Sequence, residues 1–323
     1  MNPLGRTLVR RALQALDGVR GLERLETMPF RDEGFGFDRF GLERETFWAG
    51  YLAVRQLYRR WFRVRSTGHE NVPREGRVIL APNHSGLLPF DGAMITCDLL
   101  ERLDPPRSVR SIVDHFAFAL PYVGVFMQRT GQVPGTTRNF ADLLRQDEMV
   151  LVFPEGTRGI VKPWRERYRL QKFNVGFIEL AIEHEAPIVP VAVLGAEEQA
   201  PILFGSRALG KKLGMPIFPV TPTFPLLGPL GLIPYPSQYH IAYGEPLWLH
   251  REYPREAARD PGVLQALAQK VQARVQGMID LGLEVRAGRA PASEWARTLR
   301  ATTTVTAAAN GPAIPAGADG RGR

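Results

Sequence analysis

Two apolar runs, Val78-Ile79-Leu80-Ala81 and Met149-Val150-Leu151-Val152, each break off into a block of polar, chemically capable residues. Short apolar runs bounded by turn formers read as buried strands. The first run leads into Asn83-His84-Ser85-Gly86-Leu87-Leu88-Pro89-Phe90-Asp91, the second into Phe153-Pro154-Glu155-Gly156-Thr157-Arg158. Polar groups just beyond the carboxyl ends of strands are where α/β sheets build ligand sites. Further strand-like runs lie at 111–113, 188–194 and 240–243, and helical patterns fill 90–103, 116–128, 137–146 and 173–184. Strands alternating with helices predict an α/β fold with a mixed, largely parallel sheet flanked by helices.

The two blocks are complementary in chemistry. His84 is the expected general base: a weakly acidic hydroxyl must lose its proton as it attacks, and an imidazole with a pKa near neutrality suits that step. Asp91 is expected to hold the imidazole in one tautomer and to stabilise the imidazolium that forms. No enzyme nucleophile is needed if the acceptor hydroxyl attacks directly. Asn83 and Ser85, on either side of the base, are expected to contact substrate. In the second block Gly156 permits a tight turn, Arg158 offers paired donors to phosphate and Thr157 a hydroxyl. Glu155 is expected to bind the acceptor hydroxyl or to fix the turn. Lys162, Arg165, Arg167 and Arg169 extend the positive field, each taken singly as a solvated side chain.

These blocks resemble the signature segments of the glycerolipid acyltransferases, the lysophosphatidate-acyltransferase superfamily. Leu120-Pro121-Tyr122-Val123-Gly124 followed by Gly131 is similar to its second block, Lys172-Phe173-Asn174-Val175-Gly176-Phe177 to the segment leading into the helix before its last block, and Ala186-Pro187-Ile188-Val189-Pro190-Val191 to that last block. The resemblance spans about residues 66–250. It implies a glycerol-3-phosphate acyltransferase-like fold, an acyl-CoA or acyl carrier protein co-substrate, a glycerolipid-type hydroxyl acceptor, and neither cofactor nor metal. The chain departs from the usual family pattern twice. Six residues separate His84 from Asp91 where four are usual, a spacing that resembles the monoacylglycerol and diacylglycerol acyltransferase branch. The arginine of the second block has no direct counterpart, so Arg129 or Arg138 would have to replace it.

Two other readings compete. A non-catalytic lipid-binding or transfer protein has no need of a base beside a carboxylate. A serine hydrolase using Ser85 lacks the Gly-x-Ser-x-Gly elbow. A net charge of +8 and a pI of about 9.9 admit nucleic acid, anionic membrane or acidic ligands. The arginines are dispersed rather than gathered in one tract, and no nucleic-acid-binding spacing is present, so membrane phospholipid or a phosphate-bearing substrate is favoured. A single cysteine, Cys97, sits among apolar neighbours and reads as a buried thiol. Neither a signal peptide nor a spanning helix is predicted, and the expected location is cytoplasmic, peripheral on the cytosolic face of a membrane.

Three segments are expected. Residues 1–65 carry amphipathic helices whose arginines and aromatic residues, notably Phe47, Trp48, Tyr51, Tyr58, Trp61 and Phe62, suit a membrane surface. Residues 66–285 form the acyltransferase domain, ending in a helix capped by Asp260 that runs to 279. Residues 286–323 are a flexible tail, disordered from about 300. The proline-rich, apolar run 215–236 covers the core, lines an acyl channel or touches a bilayer.

Overall fold

A computed structural model describes residues 3–118, 122–213 and 217–300. Its strands are β1 (Arg65–Thr67), β2 (Val78–Pro82), β3 (Val109–Val113), β4 (Val133–Pro134), β5 (Met149–Leu151), β6 (Ile188–Leu194), β7 (Phe204–Ser206), β8 (Phe218–Val220) and β9 (His240–Tyr243). The helices that matter below are α1 (Pro3–Thr27), α2 (Arg44–Gln56), α3 (Phe90–Arg102), α4 (His115–Phe118), α5 (Val123–Arg129), α6 (Thr137–Arg145), α7 (Thr157–Ile160), α8 (Gly176–Glu183), α9 (Arg207–Lys212), α10 (Leu249–Glu252), α11 (Pro261–Arg286) and α12 (Ala292–Arg300). Seven strands form one sheet in the order β1-β9-β6-β2-β5-β3-β4, and β7 pairs with β8 in a separate ribbon. All pairings in the main sheet are parallel except β6 with β9. The expected mixed, largely parallel sheet flanked by helices is therefore the fold.

Every residue of β2 and of β6 is buried, which explains why both runs are apolar throughout rather than alternating. One face of the sheet packs on α8 and α11, the other on α3 and the N-terminal helices. Each large apolar side chain so covered contributes about 1.5–3 kcal/mol. Because β2 and β5 are neighbours, with Val78 opposite Met149, the two polar blocks emerge side by side from one sheet edge.

Three boundaries differ from expectation. Most of the aromatic residues of 44–62 do not face outward: Phe47, Trp48, Tyr51, Tyr58 and Phe62 are buried, and of the six named only Trp61 is exposed. Arg55 and Arg59 pair with Glu101 of α3, and the hydroxyls of Tyr58 and Tyr243 donate to the buried Asp98 at 2.6 and 2.8 Å. Burial pushes both phenols up, so they remain protonated donors. A ring-and-guanidinium pattern suits an interior contact as well as a membrane interface, and here an acidic partner on α3 takes the cations. Residues 1–65 thus share a core with the sheet rather than standing apart from it.

The expected helix over 116–128 is interrupted. It forms α4 and α5, with Tyr122 in the left-handed region at φ 63° and a Cβ on Gly124 only 2.4 Å from the Phe118 carbonyl. At the other end, α11 has the expected Asp260 cap, whose Oδ1 accepts from Gly262 and Val263, but it runs on to Arg286. The tail does not begin at 286. Trp295 and Leu299 of α12 are 4% and 1% exposed, and the indole Nε1 donates to the Met278 carbonyl at 3.1 Å. The indole fits because position 282 is glycine: a Cβ there would lie 2.6 Å from the ring. Residues 301–323, where disorder was expected, lie outside the described residues.

Candidate functional site

The His84–Asp91 pair forms despite its long spacer. Asp91 enters the first turn of α3, fully buried, and its Oδ2 lies 2.7 Å from His84 Nδ1. The same Oδ2 accepts the Ser85 N–H at 3.0 Å, while Oδ1 accepts the Gly92 N–H at 2.8 Å. An ionised carboxylate accepts only, so Nδ1 carries the proton and Nε2 is left as a base. The loop closes through Gly86, at φ +80°, where a Cβ would sit 2.1 Å from Gln199 Nε2. Gln199 also donates to the Leu88 carbonyl at 3.2 Å. The His84 ring stacks on Phe153 with centroids 3.9 Å apart and planes 19° from parallel. Its side chain is 13% exposed, open enough to reach a substrate.

Glu155 is 1% exposed, and both of its oxygens are engaged by backbone donors. Its Oε1 accepts the His84 backbone N–H at 2.8 Å and its Oε2 the Gln171 N–H at 2.6 Å. These bonds match the second of the two expected roles, fixing the turn. Beneath it Lys162, expected to be solvated, is buried with Nζ 3.4 Å from Glu155 Oε2 and 3.0 Å from Glu197 Oε1. Burial pushes the Glu197 carboxyl up, against the opposing pull of Lys162. An ammonium shared by two carboxylates thus underlies the backbone of the base.

Asn83 and Ser85, expected to contact substrate, are both fully buried. Asn83 is fully buried and clasps β6, its Nδ2 donating to the Val193 carbonyl at 3.0 Å and its Oδ1 accepting the Val193 N–H at 2.7 Å. That bridge carries the sheet one residue past Pro82 and fixes where His84 begins. Ser85 is fully buried and its Oγ has no hydrogen-bond partner. No hydrogen bond links Oγ to the imidazole, so the geometry lends the serine-hydrolase reading no support.

Gly156, Thr157 and Arg158 lie on the turn into α7. Gly156 takes φ 58°, ψ −152°, a conformation reserved for glycine. Thr157 is half-buried and Arg158 exposed. Arg158 Nη2 donates to the Lys172 carbonyl at 2.9 Å and to Asn174 Oδ1 at 3.3 Å, which anchors the guanidinium at the rim. Of the arginines expected to serve for the second block, Arg129 stands over Phe37 at 5.5 Å and 3.9 Å from Glu43, and Arg138 is exposed at the start of α6.

Two cavities meet at Phe153. One, of about 300 Å³, runs between α2, α3 and α5, lined by residues such as Tyr51, Ala93, Thr96, Leu100, Phe126 and Phe153. The second, of about 200 Å³, has a mixed lining that includes Thr136, Thr137, Phe153, Asn174 and Glu179. Cys97 borders the first cavity, and burial pushes its thiol well up, away from thiolate chemistry. Phe153 and Gly159 are the residues whose part the sequence did not disclose. A Cβ on Gly159 would lie 2.7 Å from the His84 Cβ, so the second block's turn packs directly on the base. The available signal was their place within four residues of Glu155. Among the described residues no group of three or more His, Cys, Asp or Glu side chains is placed to hold a metal ion.

Residues 63–194 match the sequence model of the family described as "Acyltransferase". An uncharacterized protein of Mycobacterium tuberculosis is 39% identical over 224 residues, 69% of this chain and 62% of that protein. The human protein named "DGAT1/2-independent enzyme synthesizing storage lipids" is 23% identical over 239 residues, 73% of this chain and 64% of its own. The chain therefore spans under two thirds of the length of either relative. The crystal structure of the 1-acyl-sn-glycerophosphate (LPA) acyltransferase PlsC from Thermotoga maritima aligns with a TM-score of 0.49 at 16% identity, covering 86% of this chain and 92% of that one.

Proposed function

We propose that the chain, whose residues 63–194 match the acyltransferase family model, moves a fatty acyl group from acyl-CoA or an acyl carrier protein to a hydroxyl of a glycerolipid or lysophospholipid. The observation that carries the reading is the 2.7 Å contact between His84 Nδ1 and a fully buried Asp91. With Nδ1 committed, Nε2 takes the proton of the acceptor hydroxyl as its oxygen attacks the thioester carbonyl. The new ester C–O bond forms, the C–S bond breaks, and the imidazolium returns its proton to the departing thiolate. Asp91 stabilises that imidazolium without itself becoming protonated. A general base of this kind contributes about 10²- to 10⁴-fold.

The apolar cavity between α2, α3 and α5 suits the acyl chain, since it adjoins both Phe153 and Pro89 beside the catalytic pair. The mixed cavity suits the acceptor. Asn174 borders it and also holds Arg158, so a phosphate on the acceptor would meet a guanidinium already aimed by two bonds. The relative named for storage-lipid synthesis favours a glycerolipid acceptor. The chain acts at a membrane surface, where such acceptors reside, and uses no cofactor beyond the acyl donor.

The test is thiol release from palmitoyl-CoA, and separately from palmitoyl-acyl carrier protein, with lysophosphatidate, monoacylglycerol or diacylglycerol offered singly. Acceptor-dependent release identifies donor and acceptor together. Lipid binding without release from either donor would return the chain to the non-catalytic reading.

A further inference from the structure

Eight of the eighteen large apolar side chains exposed among the described residues fall within residues 203–233. Leu226 is 85% exposed and Leu230 69%, with Leu203, Phe204, Leu227 and Ile233 all above half. Soluble domains rarely leave such a concentration uncovered without a partner. None of these side chains lines the apolar cavity, so the run is not the wall of an acyl channel. Its charge is one-sided: from Gln199 to Gly244 there is no Asp or Glu, while Arg207, Lys211 and Lys212 are exposed on α9.

The segment is tied to the fold at both of its ends. At its root Gln199 bonds the Leu88 carbonyl in the His84–Asp91 loop, and the Ile202 carbonyl accepts the Trp164 N–H at 2.7 Å. At its far end Trp61, 38% exposed, donates its indole N–H to the Pro234 carbonyl at 3.1 Å, and Arg63 donates to the Pro236 carbonyl at 3.2 Å. A run of exposed leucines that also carries exposed arginine and lysine, with an exposed indole bonded at its end, is what a bilayer interface accepts, the leucines at the acyl boundary and the cations among the headgroups.

We propose that the 203–233 segment is a docking surface for an anionic lipid bilayer, with Leu226, Leu227, Leu230 and Ile233 inserted and Arg207, Lys211 and Lys212 against the headgroups. It deepens the acyl-transfer reading, on which it rests for the chemistry of the partner, by naming the face that meets the lipid. The charge on α9 selects an anionic lipid surface over a second copy of this equally basic chain.

The experiment is co-sedimentation of the full chain with vesicles of phosphatidylcholine alone or mixed with phosphatidylglycerol. The expected result is preference for the mixed vesicles and a loss of at least about tenfold in partitioning for Leu226→Ser/Leu230→Ser/Ile233→Ser. Lys211→Glu/Lys212→Glu, at two exposed positions, should lose the anionic preference alone. Leu4→Ser/Leu8→Ser/Leu16→Ser, on the exposed face of α1, should bind as wild type. Retained binding in both segment variants overturns the proposal. So does loss of binding confined to the α1 variant, or a wild-type dimer that the triple leucine variant dissociates. Turnover is read separately: vesicle binding without thiol release would leave the docking face standing and defeat the acyl-transfer reading.

Discussion

Glu155 shows how much a single side chain can decide at this site. Its two oxygens hold the His84 and Gln171 backbones, and Lys162 balances its charge inside the fold. Glu155→Gln leaves one of those N–H groups without an acceptor and Lys162 with only Glu197. We expect it to destabilise the chain by about 3 kcal/mol and to lower kcat while leaving the acceptor KM unchanged, measured by thermal denaturation alongside steady-state kinetics. A raised KM at unaltered Tm would instead put the carboxylate on the acceptor. The contact between His84 and Asp91 was legible in the sequence because it is local: a base and a carboxylate seven positions apart. The burial of Asn83 and Lys162 was not legible, because their partners, Val193 and Glu197, stand far along the chain. A buried carboxylate that braces a loop and an exposed one that binds substrate are the same letter.

Among the elements, α3 carries the clearest division of labour. Its first turn supplies Asp91, its buried face covers the sheet, and Ala93 and Thr96 border the apolar cavity. Ala93→Phe is expected to fill part of that cavity, lowering turnover of palmitoyl donors at least about tenfold while sparing short-chain donors. An equal loss across chain lengths, followed by thiol release over a donor series, would remove the acyl chain from this cavity. The strands were read well since β2, β5, β6 and β9 are buried and apolar enough to stand out. The three-residue β1 and the two-residue β4 were missed, as was the β7–β8 ribbon, because their pairing partners rather than their composition make them strands. The aromatic stretch ending in Phe62 was read toward the membrane because sequence cannot tell which surface a ring will cover. Asp98 and Glu101, on a separate helix, answer that question.

At the scale of the whole molecule, one sheet joins the N-terminal helices, the catalytic blocks and α12 into a single cooperative unit. Its stability should depend on pH through buried histidine. Burial, with Arg65 and Arg286 assisting, holds the His240 imidazole below its ordinary 6.5; burial likewise depresses His184 and His250. A histidine held neutral when folded binds protons more strongly unfolded, so its stabilisation is present above about pH 6.5 and is lost as the pH falls. Between pH 7.5 and 5.5, His240→Gln should show a shallower fall in Tm than wild type by differential scanning calorimetry; parallel curves would remove His240 from that dependence. The central claim, that a base fixed by Asp91 drives direct acyl transfer, rests on one atom, His84 Nε2. The most direct measurement is single-turnover transfer of a radiolabelled palmitoyl group from its donor to the acceptor by wild type and His84→Ala at matched Tm. The account predicts a loss of about 10³-fold or more in the chemical step with the fold intact, whereas a rate within a few-fold of wild type would contradict it.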